Sequence, residues 1–248
     1  MLKASFHVHI QGDWMDYITY TGFELLDRAA ELGFEVIAFT CHDRVVFTKE
    51  LEAHAKKLGI LLMPGAEMNL GGHVLVLNAD EDAEKLKTID DLRKYRKKRG
   101  NEIFTIAAHP FFKDKRVCME DRLYSSLDAM DGIEHSWFYS RLIDWNRKAK
   151  LCAEKNNKPY IATSDIHGIK MLENGHVLID SEKNIPAILK ALREHKFKSV
   201  AEPQGVFQMW TAFGKMFWDQ FKQFFPWSPP FIIFDRNEKF SPKPKRKS

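Results

Sequence analysis

Short apolar runs alternate with stretches of helical periodicity along most of this chain. Ala4 to His9 reads as a strand. Phe23, Leu26, Ala29, Ala30 and Leu32 recur at helical spacing, and Gly33 closes that helix. Phe34 to Thr40 reads as the second strand and Thr48 to Leu58 as a helix closed by Gly59. Ile60 to Met63 and His73 to Leu77 are the third and fourth strands, linked through Gly71-Gly72. Glu81 to Arg99 reads as one charged helix, Glu102 to Ala108 as a strand, Asp121 to Leu127 as a short helix and Gly132 to Glu134 as a strand. A long helix from about Ser140 to Asn156, a strand at 159–164, a hairpin-like Gly175 to Ile179 and a helix around Ile185 to His195 complete the series. This βαβα alternation predicts an α/β fold with a parallel sheet. His, Asp or Glu at the end of nearly every apolar run favours a barrel over an open sheet, with its site at the C-terminal mouth.

From Phe207 the composition shifts. Phe207, Trp210, Phe213, Met216, Phe217, Phe221 and Phe224 fall near helical spacing, Pro226 and Pro229-Pro230 interrupt them, and Phe231-Ile232-Ile233-Phe234 follows. The expected division is a barrel over 1–202 and an aromatic amphipathic extension with a basic tail over 203–248. Two readings of the extension stay open. It packs on the barrel, or 207–234 makes peripheral membrane contact, with Trp210, Trp218 and Trp227 at headgroup level and the basic tail on anionic lipid.

The net charge of +4 changes little in this picture, because Lys243, Lys245, Arg246 and Lys247 supply that much alone. A near-neutral body disfavours long nucleic acid as the partner. The three cysteines, Cys41, Cys118 and Cys152, form no CxxC pair and suggest no disulfide framework. With no charged-then-apolar leader and no run of about 18 apolar residues, a cytoplasmic location is the expectation.

The candidate chemistry lies in His7, His9, Asp13, His42, Glu67, His73, His109, Asp165 and His167. Residues two apart on an extended segment point the same way, so His7 and His9 form one chelating pair and Asp165 and His167 another. A carboxylate such as Glu67 can bridge two metals. Imidazole and carboxylate without thiolate suit manganese, zinc or iron. The set exceeds what one ion needs, so about two or three divalent ions fit better. Such clusters hold a bridging hydroxide and clamp the oxygens of a phosphoryl transfer.

In order, the chain carries His7-Val8-His9, Thr40-Cys41-His42-Asp43, Pro64-Gly65-Ala66-Glu67, Ala108-His109-Pro110 and Ser164-Asp165-Ile166-His167. This ordered set resembles the PHP (polymerase and histidinol phosphatase) superfamily over about residues 4 to 180. The resemblance implies a distorted (β/α)7 TIM-like barrel, a trinuclear metal site and hydrolysis of a phosphate ester, a small phosphomonoester or a nucleotide end, by a metal-bridging hydroxide. It implies that His7, His9, Glu67 and Asp165 hold one metal, Glu67, His73 and His109 the second, and Asp13, His42 and His167 the third. Glu67 and Asp165 are the residues on which hydrolysis should depend. The sequence departs from the family at Ile10, where Ser or Thr is frequent, and at Cys41, where Asp is common. Asp13 sits closer to His9 than in many members, which makes Asp16 an alternative third-metal ligand.

The remaining histidines have plainer readings. His54 and His195 fall on predicted helices and His176 in the hairpin, while His135, just past a strand end, is a candidate for the pocket wall. Cys41 reads as a small buried hydrophobe. Asp43 and Arg44 would sit near the mouth, in an ordinary loop salt bridge or orienting water or phosphate. Two other functions compete: an amidohydrolase-like enzyme acting at carbon, which the lack of an obvious strand-borne lysine bridge disfavours, and a non-catalytic metal-binding module recruited through its extension.

Overall fold

The structure, a computed structural model, describes residues 1–221 apart from 113, 115, 208, 212–213, 215–217 and 219–220. Helices begin where the sequence supplies caps. Thr21 caps α1 (Gly22–Glu31) in a reciprocal capping box with Glu24, and Thr48 caps α2 (Lys49–Lys57). Thr88 and Asp91 form the same box at the start of α3 (Ile89–Arg99). The next helix, α4 (Asn146–Lys155), lacks a side-chain cap, whereas Asn184 caps α5 (Ile185–Arg193), which has Pro186 in its first turn.

Among the described residues nine strands form one sheet: β1 (Leu2–Ser5), β2 (Val36–Phe39), β3 (Leu61–Asn69), β4 (His73–Leu77), β5 (Phe104–Ala107), β6 (Gly132–Ser136), β7 (Tyr160–Thr163), β8 (Gly175–Ile179) and β9 (Phe197–Ala201). Their order is β7-β6-β5-β4-β3-β2-β1-β8-β9. β1 to β3 are mutually parallel, as are β5 to β7, while β4 and β8 run against both neighbours. The two ends of this order approach each other. Ser199 Oγ on β9 accepts from Ala162 N (2.9 Å) and donates to Tyr160 O (2.8 Å), both on β7. At the same seam, a Cβ on Gly175 would lie 2.1 Å from Thr163 O, so only glycine lets β8 come so close to β7. One apolar cluster draws Ala4, Val36, Met63, Leu75, Phe104, Ile161 and Val177 from strands all round the sheet and seals them with Ile188 and Leu192 of α5. The sheet is therefore a nearly closed barrel. α1 and α2 pack outside β1 to β3 through Leu25, Leu26, Ile37, Phe39 and Leu51, and α3 and α4 lie over the opposite half.

The expected (β/α)7 arrangement becomes a nine-stranded sheet with two reversed strands. β9 was not foreseen; Phe197-Lys198-Ser199-Val200-Ala201 has only weak alternation, and its place depends on pairing with β8. The expected third strand is longer, because Pro64-Gly65 is no turn. Pro64 sits opposite Phe39, and Gly65 packs against Thr40 Cγ2 and Phe39 O. The charged helix at 81–99 is broken at Leu86 by the Thr88 capping box, a start signal in mid-pattern. The helix expected from Ser140 begins only at Asn146. Ser140 Oγ takes the amides of Leu142 and Ile143, and Asp144 takes that of Asn146, so these side chains compete with helical bonding. All residues from 222 to 248, and part of 207–221, lie outside the described residues, which leaves most of the aromatic extension and the basic tail there.

Candidate metal centre

Irregular backbone at the strand ends aims the side chains. Beyond β1 the chain stays extended: Val8 N donates to Thr40 Oγ1 (2.9 Å), Val8 O accepts from Thr40 N (2.9 Å), and Val8 bridges to Ile166. This pins His7 and His9 between the tails of β2 and β7. His42 follows β2 and bridges to Glu67 within β3. Because β4 returns antiparallel, its first residue, His73, lies at the same mouth as Glu67. His109 follows β5, and Asp165 and His167 follow β7. His109 (φ 27) and Asp165 (φ 40) adopt left-handed backbone conformations that non-glycine residues rarely hold without compensating contacts.

All the candidates come together around Glu67. Its Oε2 lies 3.0 Å from His42 Nε2, 3.1 Å from His7 Nε2 and 3.3 Å from His9 Nε2. Its Oε1 lies 2.8 Å from His73 Nδ1 and 3.2 Å from His109 Nε2. Asp165 Oδ1 faces the same pair, 3.4 Å from His7 Nε2 and 3.3 Å from His9 Nε2. His167 Nε2 instead meets Asp16 Oδ2 at 3.0 Å. Donor atoms gather into four groups that could each hold an ion: His9, Asp13, Asp16 and His42; His7, His9 and Asp165; His7, Glu67 and His109; His42, Glu67 and His73.

Whether metal fits is answered by the nitrogens. His7 Nδ1 bonds Glu134 (2.7 Å) and His9 Nδ1 bonds Asp13 (2.8 Å). The Nε2 atoms of His7, His9 and His73 are buried with no hydrogen-bond partner among the described residues. Those of His7 and His9 lie near carboxylates yet are not aligned with them as hydrogen bonds. Buried ring nitrogens without partners are costly, and a cation is what would satisfy them here.

Electrostatics agree. Burial alone would push the His7 imidazole down, but Asp165, Glu67 and Glu134 outweigh it and lift the group to about 9. His42 rises to about 10, as Glu67 and Asp13 overcome its burial. His73 goes the other way, because burial outweighs Glu67. Burial raises Glu67 and Asp165, but the imidazoles around them overcome it and hold both carboxyls well below the usual range. The Glu67 and Asp165 carboxylates thus stay ionised, the state a metal ligand needs.

Asp13 and Asp16 divide the work at the third group. Asp13 is buried and spent on protein: it accepts from Met15 N (2.9 Å) and His42 N (3.0 Å) and faces the Nδ1 atoms of both His9 and His42. Asp16 lines the cavity above the cluster. That cavity measures about 550 Å3 and is walled by Met15, Phe112, Trp137 and Phe138 beside the cluster. Among the described residues Arg116 is the one Lys or Arg lining it, and Asp114 pairs with it at 2.7 Å.

Other candidates stand apart. His135 stacks on Tyr160 (4.7 Å between centroids) and does not line the cavity. His54 pairs with Asp27, His176 packs on Phe34 and His195 on Phe197. Burial, chiefly, pushes the Cys41 thiol up to about 12, which makes it inert at neutral pH. Asp43 accepts from Asn69 N, and neither it nor Arg44 lines the cavity. The sequence reading missed Glu134, Thr163 and Cys118. Glu134 is fully buried against His7, Thr163 Oγ1 donates to it, and Cys118 Sγ lies 3.6 Å from His109 Nδ1. The signal for Glu134 was a carboxylate in mid-strand directly after Ile133.

A PHP-associated family matches residues 144–197. No curated protein matches the sequence. Among solved structures, the chain resembles a two-domain Bacteroides vulgatus protein containing a predicted PHP-like metal-dependent phosphoesterase, at 22% identity and a TM-score of 0.64 over 87% of this chain and 69% of that one. It also resembles a lesion-specific endonuclease from Pyrococcus furiosus (14% identity, TM-score 0.59, 80% of this chain and 57% of that one). A third likeness is to an amidohydrolase from Chromobacterium violaceum with bound sulfate (16% identity, TM-score 0.55, 79% of this chain and 97% of that one). Beside the ordered His, Glu and Asp motifs, the chain thus carries a segment that matches a PHP-associated family and shares its fold with a protein containing a PHP-like phosphoesterase.

Proposed function

We propose that the chain is a metal-dependent phosphoesterase that hydrolyses a small phosphomonoester or the terminal phosphate of a nucleotide. The observation that carries this reading is the convergence of five imidazoles on Glu67, with orphaned Nε2 atoms, at the floor of a cavity of small-substrate size. Divalent manganese, zinc or iron suits the donor set. Bound there, such ions would lower the pKa of a water and hold phosphate oxygens. His7, His9, Glu67 and Asp165 would hold one ion and Glu67, His73 and His109 a second. At the third position Asp16, with His42 and His167, is the better ligand, and Asp13 orients His9 and His42. Asp165, whose side chain is 20% exposed, is the cluster acid best placed to take a proton from the attacking water. The aromatic wall keeps bulk water away from the phosphorus.

A phosphoesterase and an endonuclease among the structural relatives support the reaction class. The fold shared with an amidohydrolase keeps carbon-centre hydrolysis as the competitor. Elemental analysis of the purified chain, with p-nitrophenyl phosphate and bis-ester turnover under added manganese, separates them. About two to three metals per chain with turnover is the expected result. Metal without phosphatase activity would favour the competitor. Glu67→Ala and Asp165→Ala should each lower turnover by at least about 100-fold while the fold survives.

A further inference from the structure

One buried carboxylate reaches both His7 and His109 of the proposed centre. We infer that Glu134 is a positioning residue that sets the His7 tautomer and locks the backbone of His109. It rests on the metal-site reading above.

Glu134 lies in β6, between β5 and β7, and is fully buried. Its Oε1 meets His7 Nδ1 at 2.7 Å and accepts from Thr163 Oγ1 at the end of β7. Its Oε2 accepts from the backbone N–H of His109 just past β5. No Lys or Arg pairs with it among the described residues; all its partners belong to the site. With the proton on Nδ1, the His7 lone pair must lie on Nε2, the atom that faces Glu67 and Asp165. The bond to His109 N falls at a residue with φ 27, where the backbone needs an outside contact to persist. One side chain thus ties the tails of β1, β5 and β7 to a common point.

Glu134→Gln tests this with little change of volume. An amide offers one acceptor where the site needs acceptors at both ends, so either flip sets its NH2 against His7 Nδ1 or against the His109 N–H. Zinc affinity, measured by chelator competition, should fall about 10- to 100-fold. In zinc-loaded, 15N-histidine-labelled wild type, His7 should show a protonated Nδ1 with Nε2 bound to metal. Thr163→Val, which removes one donor and keeps the carboxylate, should preserve that signature. Equal zinc affinity in Glu134→Gln, or a wild-type His7 protonated on Nε2, would overturn the assignment and leave the metal site standing. A wild type that takes up no zinc would overturn both.

Discussion

Asp13 and Asp16, three residues apart, show how little side-chain identity says about role. Asp13 is enclosed by His9, His42 and two backbone amides, while Asp16 borders the cavity beside His167. The expected outcome is a split. Under the proposed assignment Asp16→Asn should lose the third-position metal and retain the rest, whereas Asp13→Asn should loosen both His9 and His42 and lower total metal content further. Metal counting on the two variants after dialysis checks this, and equal losses would contradict it. Protons should compete with metal at the same residues. His7, at about 9, and His42, at about 10, are protonated near neutrality in the metal-free chain. Metal binds the deprotonated imidazole, so affinity should climb as pH rises from about 7 towards 10 and level off beyond, with protons released on loading. Calorimetry in buffers of different ionisation enthalpy reads the release directly. In the metal-free chain these raised groups favour the fold below about pH 6.5, and that contribution fades as pH rises through 9 and 10.

At the scale of elements, the barrel's far end is tied by ion pairs rather than ligands. Asp131, just before β6, receives both terminal nitrogens of Arg96 from α3 at 2.6 and 2.8 Å and the amide of Thr105 on β5 at 2.9 Å. Burial would raise its carboxyl, but the Arg96 bonds outweigh it and hold the group below the usual range. A depressed carboxyl stabilises the fold above its unfolded value of about 4 and loses that contribution as pH falls through the folded value. Asp131→Asn should therefore cost about 2 kcal/mol at neutral pH and less below about pH 3. Urea unfolding at both pH values checks the difference. The capping boxes at Thr21 and Thr88 are short local motifs, Thr-x-x-Glu and Thr-x-x-Asp, at the starts of α1 and α3. The periodicity of 81–99 ran through the second, because a charged stretch looks continuous when its cap lies inside it.

For the whole molecule, charge and aromatic content are unevenly spread. Residues from 203 onward carry eight Lys and Arg against three Asp and Glu, which leaves the barrel portion almost neutral. Phe207, Trp210, Trp218 and Phe221 are each more than half exposed, while Met209 between them is buried. No helix among the described residues is long and apolar enough to cross a membrane. An exposed aromatic stripe beside a cationic tail fits an anionic bilayer surface. Sedimentation with phosphatidylserine vesicles at low and high salt separates the two readings of the extension: salt-sensitive pelleting would support membrane contact through 207–234. Salt-independent absence from the pellet would leave packing on the barrel as the reading.

The sequence by itself determined the candidate donors and their order, because a ligand needs a particular side chain and each sits next to an apolar run that can be recognised locally. It determined most helices and strands for the same reason: periodicity and capping act within a few residues. Tertiary structure decided what depends on partners far along the chain. The reversal of β4 brings His73 to the mouth, β9 exists through its pairing with β8, and Gly175 and Ser199 nearly close the barrel. Only the folded chain shows Asp13 turned inward, Asp16 turned to the cavity, and Glu134 holding His7 from a strand 127 residues away. Such roles belong to distances between side chains, and no local pattern encodes them.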